Sequence, residues 1–370
     1  MRSIHHELRI GALILALLGA YALSVWLALD SAGQVHAFNL FGYSSLVAGT
    51  WAIAACLVFI AYALDLTLRQ RPARPLQIMI ADIRREILSP DRLVMRAVPF
   101  IMLLLLMGSF TTFKSAIPFF KPFAYDTLFM EWDRLIFGTD PWRLTHRWLG
   151  DTLPTMVIQQ AYNFWFFLMW VSVIYVVMRA DFRRFRTQYL IAFALTWIGL
   201  GSLMAVMLSS AGPCYYGRIV PGPDVYAPLM AKLKSMDAAI IASGSPFRLF
   251  ALEIQEDLWK AYVHRGEMLG GGISAMPSLH VGVSILMARA ALELNTRLGV
   301  VLSLYALIIW VGSVHLGWHY AVDGLVALPA VMIIWGLAGR LVDWLGITDL
   351  DTRTNRCLDP LPSSATVPAE

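Results

Sequence analysis

Charge is what this 370-residue chain has least of: 15% of it is Asp, Glu, Lys or Arg, against 58% hydrophobic residues. A water-soluble domain carries about 25% charged residues, so the composition excludes an ordinary soluble enzyme. The net charge is only +4, and the arginines gather in short loops. That excludes a nucleic-acid footprint, and no nucleic-acid partner is expected. Cysteine is scarce too. Cys56 lies in an apolar run, Cys214 in a loop and Cys357 in the tail, with no CxxC. Neither a disulfide framework nor a thiolate metal site follows from that spacing. There is no internal repeat. The N-terminal stretch MRSIHHELRIGALILALLGAYALSVWLAL lacks a small-residue cleavage site, so it reads as a first spanning helix and not as a removed signal peptide.

What the chain has is apolar runs near the length that crosses a bilayer core, about 20 residues. Eight are expected, near residues 9–29, 45–66, 97–113, 154–178, 189–210, 278–295, 298–316 and 319–345. The fold class is therefore all-α, a polytopic membrane protein whose helices satisfy their own backbone hydrogen bonds. Three regions are expected: residues 1–96 with two spans and a basic loop, residues 97–346 as the catalytic membrane domain, and a polar, disordered tail over 347–370. The segment LQIMIADIRREIL (76–88) has apolar residues at helical spacing and a basic face. It reads either as a helix lying on the membrane surface or as a plain connector.

Lys and Arg placement sets the orientation. Arg69, Arg71, Arg74, Arg84, Arg85, Arg92 and Arg96 follow the second span, and Arg179, Arg183, Arg184 and Arg186 follow the fourth. The loop after the first span holds neither Lys nor Arg. The positive-inside rule puts both basic loops and both termini in the cytoplasm. The loops at 114–153 and 211–277 then face the other side. Their Trp, Tyr, Phe and Pro content fits short helices at the bilayer surface.

Three polar stretches fall on that second side. KSAIPFFKP (114–122) follows the third span, PSLH (277–280) opens the sixth, and HLGWHYAVDG (315–324) joins the seventh to the eighth. His319 and Asp323 are four apart, which stacks them on one face of a helix. A carboxylate there can accept the imidazole N–H, fix the tautomer and raise the nucleophilicity of the other nitrogen. His280 supplies a second imidazole, so the pair makes a nucleophile and a general acid. The Gly-rich approach GGGISAMP leaves backbone N–H groups at a helix N-terminus, which favour a phosphate. Ser278 adds a hydroxyl, and Lys114 and Lys121 add point charges for the same anion. His315, His319 and Asp323 have the i, i+4, i+8 spacing of metal ligands on one helix. Gly317 is the natural pivot between two helices, however, and separates His315 from the others, so no metal and no other cofactor is expected.

These stretches resemble the three motifs of the type-2 phosphatidic acid phosphatase superfamily, KxxxxxxRP, PSGH and SRxxxxxHxxxD. Here Lys114 is followed by six residues and Lys121-Pro122, so Lys replaces the Arg. The second motif reads Pro277-Ser278-Leu279-His280, with Leu for Gly. The third reads Gly312-Ser313, five residues, His319, three residues, Asp323, and its Arg is absent. PSLH with HYAVD is most similar to the inositol phosphorylceramide synthase-like branch and its bacterial relatives. The resemblance implies a six-helix core, with the first two spans outside it. It implies that His319 attacks phosphorus, Asp323 orients it, and His280 protonates the leaving oxygen and then deprotonates the acceptor. Membrane lipids are the implied partners, and the outer face of a bacterial inner membrane is the implied location of the site. The missing Arg removes a bidentate phosphate ligand. That tilts the expectation towards a diester donor and transfer of its headgroup to a lipid alcohol of ceramide or diacylglycerol type. Hydrolysis of a lipid phosphate or polyprenyl diphosphate is the rival within the same chemistry. A lipid transporter using the same anion pocket is the rival outside it.

GPCYYGR (212–218) lies on the same face. Arg218 reads as a replacement phosphate ligand and Tyr215 and Tyr216 as headgroup-lining residues, or all three as an interfacial turn. In YDTLFMEWDRLIFG (125–138), Asp126, Asp133 and Arg134 read first as an ion pair within the loop and second as headgroup contacts. RGEMLGGG (265–272) reads as a hinge over the site or as simple turns.

Overall fold

The computed structural model describes residues 2–84, 90–178, 182–264 and 271–348. The expected disordered tail lies beyond them from 349 onwards, as do 85–88 of the surface segment and 265–270 of the expected hinge. All regular structure among the described residues is helical. On the N-terminal side come α1 (Arg2–Ser31), α2 (Ser44–Leu64), the short α3 (Pro75–Asp82) and α4 (Pro90–Phe120). Two amphipathic helices follow, α5 (Asp126–Phe137) and α6 (Pro141–Leu149), and then α7 (Thr152–Met178). Helix α8 (Arg183–Ile198) runs through a turn of π-type hydrogen bonding (Gly199–Met204) into α9 (Ala205–Met207). The next loop carries α10 (Tyr216–Ile219), α11 (Ala227–Ala242) and α12 (Phe250–His264). The chain closes with α13 (Leu279–Leu294), α14 (Thr296–His315) and α15 (Ala321–Trp344).

Among the described residues seven stretches are long and apolar enough to cross a membrane, and they coincide with seven of the eight expected spans. The exception is α13, which has 16 residues and rises only about 24 Å. It packs along α14 and against α15, α8 and α7, inside the bundle. Two spans run further than their composition suggests. Helix α4 continues past Lys114 to Phe120, because Lys114 turns towards an internal cavity and not towards lipid. Helix α8 begins at Arg183, because Glu7 of α1 accepts hydrogen bonds from Arg183 at 2.9 Å and from Arg186 at 2.7 and 2.8 Å. A buried charge persists when it is paired and hydrogen-bonded, so the basic turn stays helical and joins the bundle.

Among the described residues the two largest apolar clusters hold most of the molecule. The larger runs through α1, α4, α7, α8, α13, α14 and α15. The second lies at one end of the bundle and joins α5, α6 and α11 to the segment around His319, through residues such as Phe129, Trp142, Leu229, Met276 and Tyr320. The surface helices are thus a cap over that end, cemented to the chain on both sides of His319. The opposite end holds the Glu7 network and an Arg184–Asp343 pair at 2.9 Å.

Candidate active site

Local sequence explains how each motif residue is presented. Ser278 is the N-cap of α13, its side chain accepting from the Val281 N–H at 3.4 Å. This sets His280 in the first turn. Asn295 caps α14 in the same way, through the Leu298 N–H at 3.0 Å, which allows α13 and α14 to be joined by one residue. Helix α14 ends at His315, and Gly317 takes a positive φ of 75°. His319 therefore sits in the turn and Asp323 in the first turn of α15. Gly272 lies against α4 so closely that a Cβ there would sit 2.7 Å from the Lys114 carbonyl carbon and the Ser115 nitrogen. A side chain at 272 would push the approach to PSLH away from Lys114.

Of these, Lys114, Gly272, His280 and His319 meet at a cavity of about 330 Å³ at the capped end of the bundle. His280 and His319 both line it, with ring centres 6.3 Å apart and planes inclined by 58°. His319 Nδ1 lies 2.8 Å from Asp323 Oδ2 and 2.8 Å from the Ala275 carbonyl oxygen. Both partners are acceptors, so Nδ1 carries a proton, and Nε2 is the nitrogen that can present a lone pair to a ligand. Asp323 is fully buried, and no hydrogen bond reaches its other oxygen, Oδ1, among the described residues. His280 is held by aromatic faces: Tyr162 stacks at 4.7 Å and Trp165 tilts at 4.3 Å. Among the described residues no side-chain hydrogen bond commits its ring nitrogens, which leaves them free to exchange a proton with a bound group.

Lys114 is the only Lys or Arg among the described residues that line the cavity. Below it the walls are apolar and aromatic: Met107 and Phe110 of α4, Trp165 and Phe166 of α7, Trp197 of α8 and Gly201 of the π-type turn that follows it. From Lys114 to Met107 the groove descends about 10 Å along α4. Tyr43, which precedes α2, adds a wall from outside the expected six-helix core. Sequence reasoning left the first two spans without a part in the site. Only their packing along α4 reveals one.

The other expected ligands separate. Tyr215 lines the cavity and donates to the Gln255 carbonyl at 2.8 Å. Ser278 is buried as a cap and is not on the cavity wall. Lys121 is outside the cavity; it donates to the Met207 carbonyl at 2.9 Å and lies over the Tyr125 ring. Arg218 pairs with Glu256 at 2.5 Å and stacks on Trp259. Tyr216 packs edge-on to Tyr226 within the second cluster. His315 stacks on His146 with ring centres 3.9 Å apart, away from the cavity. Among the described residues no group of three or more His, Cys, Asp or Glu could hold a metal ion.

The loop aspartates behave differently from the ion pair expected of them. Arg134 pairs with Asp140, at 2.5 Å, because both aspartates are turned inward. Asp133 accepts from the Ala321 and Val322 N–H groups at 2.9 and 2.8 Å. Asp126 accepts from the Gly212 N–H at 2.8 Å, the Ala211 N–H at 3.0 Å and the Tyr320 hydroxyl at 2.8 Å. Burial raises both carboxyls above the ordinary Asp value, Asp133 to about 7, against hydrogen bonds that act to lower them. The i, i+7 spacing of the two residues was the only trace of this in the sequence.

The profile of the PAP2 superfamily matches residues 127–337, which include His280, His319 and Asp323 but not Lys114. No curated protein and no solved structure matches the chain. The match spans more than half of the chain, which therefore belongs to the PAP2 superfamily.

Proposed function

We propose that this PAP2 superfamily member is a membrane-embedded lipid phosphotransferase that moves a phosphate-linked headgroup from a phospholipid to a lipid alcohol. The observation that carries the reading is the steered imidazole: His319, with Nδ1 tied to Asp323 and Ala275, faces His280 across a cavity with one cation. His319 Nε2 attacks the donor phosphorus. The bond from phosphorus to the lipid oxygen breaks, and that oxygen takes a proton from His280. The headgroup phosphate is then held on His319 through an N–P bond. Neutral His280 next removes the proton from the acceptor hydroxyl. The acceptor oxygen attacks phosphorus, the N–P bond breaks, and both rings return to their starting states. The charge the Asp323 carboxylate places behind His319 stabilises the ring as it becomes cationic.

Two features favour a diester donor. A diester phosphate carries one negative charge, which one lysine and the α13 N-terminus can meet. The groove below Lys114 is lined by apolar and aromatic side chains, so it suits lipids on both sides of the reaction. We place the site on the extracytoplasmic face and both termini in the cytoplasm, on the strength of the basic loops at the opposite end.

The test is to incubate detergent-purified protein with a headgroup-labelled phospholipid and a lipid alcohol. Label appearing in the acceptor lipid is expected, with an acid-labile, base-stable phosphoprotein at short times that is absent from His319→Ala. Label released only to water would overturn transfer in favour of hydrolysis. Lipid binding or movement without turnover would overturn the enzyme.

A further inference from the structure

Helix α5 lines no part of the cavity, yet its two buried aspartates take hold of the chain directly after His319. Asp133 receives the N–H groups of Ala321 and Val322, the first two amides of α15, which no helix can satisfy internally. Asp126 receives the hydroxyl of Tyr320, the residue between His319 and that helix. The same carboxylate also receives the Ala211 and Gly212 amides, so it ties the loop after α9 to the His319 turn. Each of residues 320, 321 and 322 therefore gives a donor to α5. Those three residues are all that separates His319 from Asp323, and the two catalytic side chains sit 2.8 Å apart on either side of them.

We propose that Asp126 and Asp133 are positioning residues for His319: by anchoring the first turn of α15 to α5 they fix how the Asp323 carboxylate meets the imidazole. The proposal rests on His319 as nucleophile. Its physical basis is the steepness of the chemistry with distance. Displacing a reacting group by about 1 Å costs on the order of 100-fold in rate. An isolated cap would bear on helix stability alone. This one sits where any rotation of α15 turns Asp323 away from Nδ1, leaving Ala275 as the sole acceptor. The lipid-facing walls on α4, α7 and α8 are untouched by α5, so substrate affinity is expected to survive when turnover does not.

The experiment compares Asp133→Asn, Tyr320→Phe and His319→Ala with the wild type, measuring kcat and KM for whichever phospholipid the wild type consumes. Asp133→Asn replaces an acceptor by an amide whose N–H₂ faces a donor, and keeps the volume. A fall in kcat of about 10- to 100-fold is expected, with KM within about threefold. Tyr320→Phe removes one hydroxyl, and a fall in kcat of about three- to tenfold is expected; it decides the matter if Asp133→Asn does not fold. Turnover within twofold of wild type in the folded variants, or a rise in KM with kcat unchanged, overturns the positioning role while His319→Ala remains inactive. If His319→Ala itself keeps turnover, the nucleophile assignment fails, and this proposal with it.

Discussion

Two pairs of histidines lie at the same end of this molecule, and they differ in what their nitrogens face. His146 and His315 stack nearly parallel, 3.9 Å apart and inclined by 10°. Protein surrounds them. His146 Nε2 meets the His315 carbonyl at 2.9 Å, His315 Nε2 meets Thr155 at 2.9 Å, and His315 Nδ1 meets Thr145 at 3.2 Å. His280 and His319 stand 6.3 Å apart with a cavity between them. One of their rings is committed on one side only, and the other is held by aromatic faces alone. The first pair uses imidazole as a packing piece with polar edges. The second keeps lone pairs in reserve for a ligand. What distinguishes them is what completes each shell: threonine hydroxyls close both nitrogens of His315, the His146 ring keeps one buried nitrogen, Nδ1, with no hydrogen-bond partner among the described residues, and the second pair sets a buried carboxylate behind one ring with the cavity in front of it.

The largest effect that would break this comparison is on turnover. His319→Ala is expected to lower kcat by at least about 10³-fold, with donor-lipid affinity within a few-fold of wild type in a binding assay. His315→Gln, on the stacked pair, is expected to stay within about tenfold in kcat and to lose thermal stability instead. The reverse pattern in a turnover assay would show that the wrong pair had been taken for the active one.

A smaller effect separates the two lysines of the first motif. Lys114 faces the cavity and Lys121 faces the Met207 carbonyl. Lys114→Gln removes the point charge on the phosphate, and kcat/KM should fall by about 10- to 100-fold, as expected for a lost charged hydrogen bond. Lys121→Gln should change kcat/KM by no more than about twofold. Equal losses would place Lys121 on the substrate as well.

The same pair shows how far the sequence could be read. Hydropathy located the bundle because lipid demands long apolar helices with few exceptions. His319 and Asp323 were legible because i, i+4 spacing is a local property that survives folding. Lys114 and Lys121 were not separable, since seven positions on a helix return to the same face and only the packing of Gly272 on α4 decides which lysine meets the cavity. Asp126 and Asp133 were misread as members of a surface ion pair because their partners are backbone amides nearly 90 and 190 residues away. A backbone donor has no residue type, so no motif announces it. Tyr43 was invisible for a related reason: its part in the cavity comes from the segment before α2 packing on α4, where the Leu40 backbone lies against Gly108, a close approach that no residue pattern announces.

The smallest effect concerns pH, and it sharpens the contrast between a closed pair and an open one. Burial holds the His146 imidazole below its ordinary value, the Lys232 ammonium adds to this, and the hydrogen bond with the His315 carbonyl opposes it. The folded state thus prefers His146 neutral, while the unfolded chain takes up a proton near the ordinary imidazole value of about 6.5. The stabilisation is present above that pH and is lost as pH falls through it. Asp133 runs the other way: its raised carboxyl favours the protonated folded state, so its contribution is lost as pH rises from the ordinary Asp value towards about 7. The two slopes overlap between pH 5 and 7, so the wild-type melting curve alone does not resolve them. The difference between wild type and His146→Gln does, because Asp133 is common to both and lies on a different helix. Gln can still donate to the His315 carbonyl but does not titrate. On acidification from pH 7 to 5, the wild type should lose about 2–4 °C more in Tm than His146→Gln, with kcat of the two within twofold at pH 7. Parallel Tm slopes would mean that the stack admits a proton without strain, and the line between closed and open pairs would then rest on the cavity alone.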